Sequence, residues 1–208
     1  MDTNAIICLS LTIVSNFVKT VQVAPEVVPR GTNDIETIII GRQYFPLDVF
    51  LHDRRGNQFW IRHGVVCQFL TTNSYFTLQD PHRIGDYVGV AKLSSNEVFR
   101  LATTTMTQLL KNGNPLQAVR PVIKAAKPFN GQQVPFYDVI WPDPVNPAII
   151  HIADIEVNAQ SGNVVALNHF NHAFDDDAQL LQLSNLVFQT TFSPGRRLET
   201  GDLPPGGN

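Results

Sequence analysis

The chain has 208 residues, enough for one sizeable domain or two small ones, and 43% of them are hydrophobic. Only 16% are charged, so Asn and Gln solvate much of the surface. Thirteen Phe, two Trp and four Tyr exclude a disordered chain, and a net charge of -3 without a basic run excludes a generic polyanion binder.

The first feature along the chain is the apolar segment Ala5 to Val18, AIICLSLTIVSNFV. It is interrupted by Ser10, Thr12, Ser15 and Asn16 and falls short of the roughly 20 apolar residues that a spanning helix needs, so no stable membrane span is expected. Two readings stay open. Residues 1–24 form a secretory signal peptide ahead of Val23-Ala24-Pro25, which places the protein outside the cell, in the periplasm or in the envelope. Alternatively they form a first helix or strand packed on the core, which places it in the cytoplasm. No Lys or Arg precedes the apolar core. Cys67, in an alternating apolar run, reads as a buried small hydrophobe; an exported mature chain would keep it alone and form no internal disulfide, and two cysteines as far apart as Cys8 and Cys67 make no metal knuckle.

Residues 25–34, with Pro25, Pro29 and Gly31, read as a linker, and the folded body runs from Ile35 to Phe192. Its first part, 35–90, is β-rich. Leu47, Val49 and Leu51 alternate with Asp48, Phe50 and His52, and Asp53-Arg54-Arg55-Gly56-Asn57 makes a turn. A return strand sets Phe59, Ile61, Val65, Cys67 and Phe69 on one face and Trp60, Arg62, Val66 and Gln68 on the other. Tyr75 to Leu78 adds a short edge strand.

The second part, 91–192, is α+β and is either separate from 35–90 or continuous with it. Ser94 and Glu97 have capping-box spacing, and Val98, Leu101, Ala102, Thr105 and Leu109 give one apolar helical face ending near Gly113. Pro115 to Pro128 is a weaker helical patch broken by Pro121. Strands follow at Phe136–Trp141 and Ala148–Asn158, the latter with Ile149, His151, Ala153, Ile155 and Val157 on one side and Asp154 and Glu156 on the other. The turn Ala159-Gln160-Ser161-Gly162-Asn163 leads into a strand from Val164 to Phe170. A helix capped by Asp175-Asp176-Asp177 runs on through Leu180, Leu181, Leu183 and Val187, and residues 193–208 read as a disordered tail. The expected fold is a twisted antiparallel sheet packed against one or two helices.

Three places in residues 91–167 resemble the PepSY domain family. Ser94-Ser95-Asn96-Glu97 and its helix look like that family's opening helix. Phe136-Tyr137-Asp138-Val139-Ile140-Trp141 looks like its aromatic first strand. Ile155-Glu156-Val157-Asn158-Ala159-Gln160-Ser161-Gly162-Asn163-Val164 looks like its strand–turn–strand, with Asn158 in place of the usual Asp and Ser161 in place of the usual Thr. The stretch from Gly113 to Gln133 is longer than in a minimal unit. The resemblance implies a PepSY/cystatin-like architecture and a secreted or envelope module that binds or restrains another protein, often a peptidase.

Sites of chemistry are sparse. No nucleophile elbow, H-E-x-x-H, phosphate loop, dinucleotide fingerprint or C-x-x-C occurs. His169 and His172 are the nearest approach to a metal site, yet residues three apart on a strand point to opposite faces, so no metal or cofactor is assigned. His151 reads as a core or interface histidine without an assignable acid–base partner. Asp154 and Glu156 have the spacing of paired carboxylates, although the solvated face of a sheet gives the same pattern. Arg54, Arg55, Arg62, His63, His82 and Arg83 form a loose basic set around the first hairpin, too sparse to imply nucleic acid. Trp60, Tyr137 and Trp141 are the candidate binding residues. The leading expectation is a non-enzymatic exported binding or regulatory module with a protein partner. The alternatives are an enzyme or small-ligand carrier with a pocket on a concave sheet, and a structural envelope or assembly subunit.

Overall fold

A computed structural model describes residues 3–41, 48–62, 64–74, 88–110, 116, 119–144, 147, 151–169 and 187–191. Within them the chain forms a nine-stranded antiparallel sheet with two helices against one face. The strands are β1 (Ile35–Gly41), β2 (Val49–Asp53), β3 (Gln58–Arg62), β4 (Val65–Leu70), β5 (Val122–Ala125), β6 (Phe136–Pro142), β7 (His151–Asn158), β8 (Asn163–His169) and β9 (Val187–Thr191). Their order in space is β5-β6-β7-β8-β4-β3-β2-β1-β9. The α+β class and antiparallel pairing expected from the alternating patterns are therefore present. Because β4 pairs with β8, residues 35–90 and 91–192 contribute to a single sheet.

Register explains the core. Residues directly opposite one another on paired strands point to the same face. Ile38, Leu51, Phe59, Phe69, Leu167, Ile155, Val139 and Ile123 lie opposite one another in succession, forming one apolar row across eight strands. Seven of these side chains are fully buried, and Ile123, near the sheet edge, is partly so. Phe69 sits near the middle of the row, its ring 5.1 Å from that of Phe59.

The helices cover this row. Helix α1 (Thr3–Thr20) buries Ile7, Ser10, Val14 and Phe17, and Val21 follows just beyond its end. That spacing of three and four residues gives a single face, laid over β3 and β4. The segment read as either a signal peptide or a packed element is here a packed helix. Helix α2 (Ser95–Leu110) lies over β6 and β7 and buries Val98, Ala102, Thr105 and Met106. Its capping box forms as the sequence indicates. The Ser94 backbone N–H donates to Glu97 Oε2 at 2.8 Å and the Ser94 hydroxyl donates to the same oxygen at 2.7 Å. These bonds hold the Glu97 carboxyl below its usual range.

Several local expectations need correction. The return strand after the first turn is two strands, β3 and β4, joined through Gly64. A register shift at Trp60/Ile61 brings Val66 opposite Ile61 and buries it, so Val66 belongs with the core face and not with Trp60. The patch from Pro115 to Pro128 contains edge strand β5 in place of a helical turn. There the β-branched pair Val122-Ile123 gains cross-strand partners on β6, which a short helix between two prolines would lack. β1 was not legible as a strand, and residues 25–34 carry two 3-10 turns that bury Val27. The helix expected from Asp175 through Val187 does not reach that residue, because Val187 opens β9 and pairs with Gly41 of β1; the rest of that helix, the proposed edge strand at Tyr75 to Leu78 and the tail from Ser193 lie outside the described residues.

Two turns set the frame. In the β2–β3 hairpin the buried Asp53 carboxylate accepts the backbone N–H groups of Arg55 at 2.9 Å and Asn57 at 2.8 Å. In the β7–β8 reversal, Asn158 Oδ1 accepts the N–H groups of Gln160 at 2.9 Å and Ser161 at 3.3 Å, and Ser161 Oγ accepts that of Asn163 at 3.2 Å. Gly162 takes φ +79, a region that side chains with a Cβ avoid. The segments flanking both helices grip this reversal. Val164 N–H donates to Gln22 O at 2.7 Å, and the N–H groups of Lys92 and Leu93 both donate to Ala159 O.

Candidate functional site

The opposite face of the sheet, which neither described helix covers, carries the polar residues. Phe50, Trp60, Gln68, Asn168, Asp154, Ile140 and Val122 form one cross-strand row. The adjacent row runs His52, Gln58, Leu70, Ala166, Glu156, Asp138, Lys124. Phe50, Trp60, Gln68, Asn168, Asp154 and Asp138 are each half-buried. The face therefore grades from aromatic at Phe50 and Trp60, through amides, to carboxylates near β5.

The carboxylates are not an ordinary solvated strand face. Glu156 is only 2% exposed. Burial pushes the Asp138 carboxyl up to about 7, with repulsion from Asp154 adding to the shift and Lys124 opposing it. Burial likewise pushes Asp154 up to about 6, against the pull of the Asn168 side-chain amide, which donates to Asp154 Oδ2 at 3.4 Å. Asp138 and Asp154 are diagonal neighbours on adjacent strands. Two such groups exchange protons near neutral pH and can accept hydrogen bonds from a basic or amide-bearing ligand. Among the described residues, no three His, Cys, Asp or Glu side chains converge to hold a metal ion.

The three aromatic candidates do not form one patch. Trp60 is on the face opposite the two described helices, whereas Tyr137 and Trp141 alternate onto the helix side. Tyr137 packs against the core, and Trp141 is 4% exposed within it. His169, also on the helix side opposite Ala153, uses its Nε2–H to donate to the Val66 carbonyl at 2.9 Å, and burial pulls it below its usual pKa. His172 lies outside the described residues. His151 is half-buried, and burial and nearby Lys124 lower its pKa.

The loose basic set is divided among structural roles. Arg62 is buried beside Asp48, with Nε 3.8 Å from Oδ1. Their neighbour Cys67 is pushed up to about 12 by burial and by Asp48, which makes it an inert thiol. Arg55 pairs with Asp53 at 3.3 Å and Asp34 at 3.7 Å. Arg54 is exposed, and His63, His82 and Arg83 lie outside the described residues.

Asp138, Asn168 and Lys124 were missed at the sequence level. The available signal was an acid at position 138, on the face of β6 opposite that of Tyr137, Val139 and Trp141. Its meaning appears only once β5, β6, β7 and β8 are paired. A separate open cleft of about 400 Å³ lies between the end of α1 and α2, bordered by Thr20, Gln22, Leu101, Thr104, Glu97 and Arg100. It contains none of the candidate binding residues. No protein-family model, curated protein or solved structure matches the chain.

Proposed function

We propose that the protein is a non-enzymatic, PepSY-like binding module that engages a protein partner through the sheet face opposite its two described helices. The observation that carries this reading is the half-buried row Phe50, Trp60, Gln68 and Asn168 on the face that, among the described residues, no helix covers. Aromatic and amide groups combine contact area with hydrogen-bonding capacity and suit protein interfaces. The Asn158–Ser161–Gly162 reversal and the helix–strand order support the family resemblance. A peptidase-restraining role follows from that resemblance. Compartment is a separate question, since the binding face lies outside residues 1–24.

Photo-crosslinking in the cells that make the protein tests the face. Trp60→benzoylphenylalanine should yield one discrete cross-linked protein, and the same replacement at exposed Arg100 should not. Equal labelling at both positions, or none at Trp60, would remove the assignment. A second reading is favoured by Asp138 and Asp154, whose raised pKa values suit general acid–base chemistry in an enzyme or small-ligand carrier. On that reading, the small metabolites co-purifying with the protein should disappear in Asp154→Asn while the Trp60 cross-link persists.

A further inference from the structure

Edge strand β5 combines an open backbone with an unusual charge distribution. Among the described residues it is the last strand on its side of the sheet and pairs only with β6. The Ala126 N–H donates to Phe136 O at 2.9 Å, which sets the phase of the antiparallel ladder. In that phase Lys124 and Val122 exchange hydrogen bonds with Asp138 and Ile140, while the N–H and C=O groups of Ile123 and Ala125 point away from β6. Val122 is 45% exposed, and Lys124 and Ala125 are also exposed.

The charge around this edge opposes that of the whole chain. Between Glu97 and Asp138 there is no Asp or Glu, while Arg100, Lys111, Arg120, Lys124 and Lys127 all occur. Arg120, Lys124 and Lys127 bracket β5 and are exposed. The chain overall carries a net charge of -3. Pairing two copies of β5 centred on Lys124 would set the two ammonium groups directly opposite each other, which disfavours that register. Pro121 and Pro128, just outside the strand, cannot donate to an added strand and limit it to a short segment.

We infer that the free edge of β5 binds a short, extended acidic segment of a partner protein, which adds to the sheet as a tenth strand beyond β5. Main-chain groups of Ile123 and Ala125 supply the pairing, and Arg120, Lys124 and Lys127 select for acidic side chains. The Val122 and Lys124 side chains share the Trp60 face, but β5 lies five strands away from Trp60 on β3, so either site can fail without the other.

The test uses the full-length protein and two fluorescein-labelled eight-residue peptides, one alternating Glu with Val and the other alternating Lys with Val. The Glu–Val peptide should bind at least about tenfold more tightly, and raising salt from about 50 to 300 mM should weaken it markedly. Ala125→Pro removes an outward donor without removing a bond to β6 and should abolish binding. Charge reversal by Lys124→Glu with Lys127→Glu should invert the peptide preference, and it decides the matter if Ala125→Pro does not fold. In the free protein, the Ile123 and Ala125 amides should exchange rapidly with deuterium. Slow exchange in a monomer would mean the chain covers its own edge, and slow exchange in a concentration-dependent dimer would mean self-pairing. Either result, or equal affinity for both peptides, overturns the inference.

Discussion

Phe17 on α1 meets Phe69 on β4 edge-to-face, with ring centroids 5.5 Å apart and planes at 61°. This contact joins the N-terminal helix to the centre of the apolar row. Phe69 also touches Phe59 and is fully buried. Phe69→Ala should destabilise the fold by about 3–5 kcal/mol, read as a lowered urea midpoint with little change in slope. A loss below about 1 kcal/mol would mean that α1 does not rest on the sheet.

The packing of α1 also bears on processing. Burying Ile7, Val14, Phe17 and Val21 contributes together about 6–12 kcal/mol, comparable to the entire stability of many domains, about 5–15 kcal/mol. A protein lacking residues 1–24 should bind the dye ANS and lose cooperative unfolding. Intact-mass measurement on protein from its native host should accordingly find α1 retained. A cleaved yet cooperatively folded protein would refute the packing.

Asp138 and Asp154 make stability depend on pH. Both have native pKa values raised above the usual 3.8, to about 7 and about 6. Between those limits the native state holds more protons than the unfolded state, so their contribution falls as pH rises from about 4 to 7. Half-buried His151 and buried His169, whose pKa values are lowered, act in the opposite sense on the acid side. Asp138→Asn isolates one carboxyl. It should stabilise the protein by about 1–3 kcal/mol at pH 8 and make little difference at pH 4, measured by urea unfolding at both values. Equal effects at the two pH values would refute the shift.

Gly162→Ala should cost about 1–2 kcal/mol, because φ +79 places a Cβ against the following carbonyl. Gly162→Asn should cost less, since Asn tolerates this conformation. Thermal unfolding of both variants checks the order, and a neutral alanine variant would mean that the reversal relaxes to another turn.

The second half of the fold was the more legible. The Ser94–Glu97 cap, the face led by Val98 and Ala102, and the turn at Asn158–Gly162 each depend on residues close in sequence. What was illegible depends on pairing between distant strands. The shift at Trp60/Ile61 moved Val66 to the core face, and within residues 58–70 Gly64 signals a break in the alternation without fixing where the register shifts. The acidic character of β7 was visible, but its desolvation was not, because Asp138 reaches Asp154 only through the β6–β7 register. Trp141 looked like a contact residue by its type, whereas alternation along β6 with Val139 already assigned it to the core.

The apolar row has a consequence for how the protein can be divided. Ile38, Leu51, Phe59 and Phe69 come from the first ninety residues, and Leu167, Ile155, Val139 and Ile123 from the rest. The seam between β4 and β8 runs through that row. Neither fragment produced alone has a partner for its exposed half of the seam, so each should be insoluble by itself. Co-expressed, the two should reassemble, making the chain a natural split reporter cut between β4 and α2.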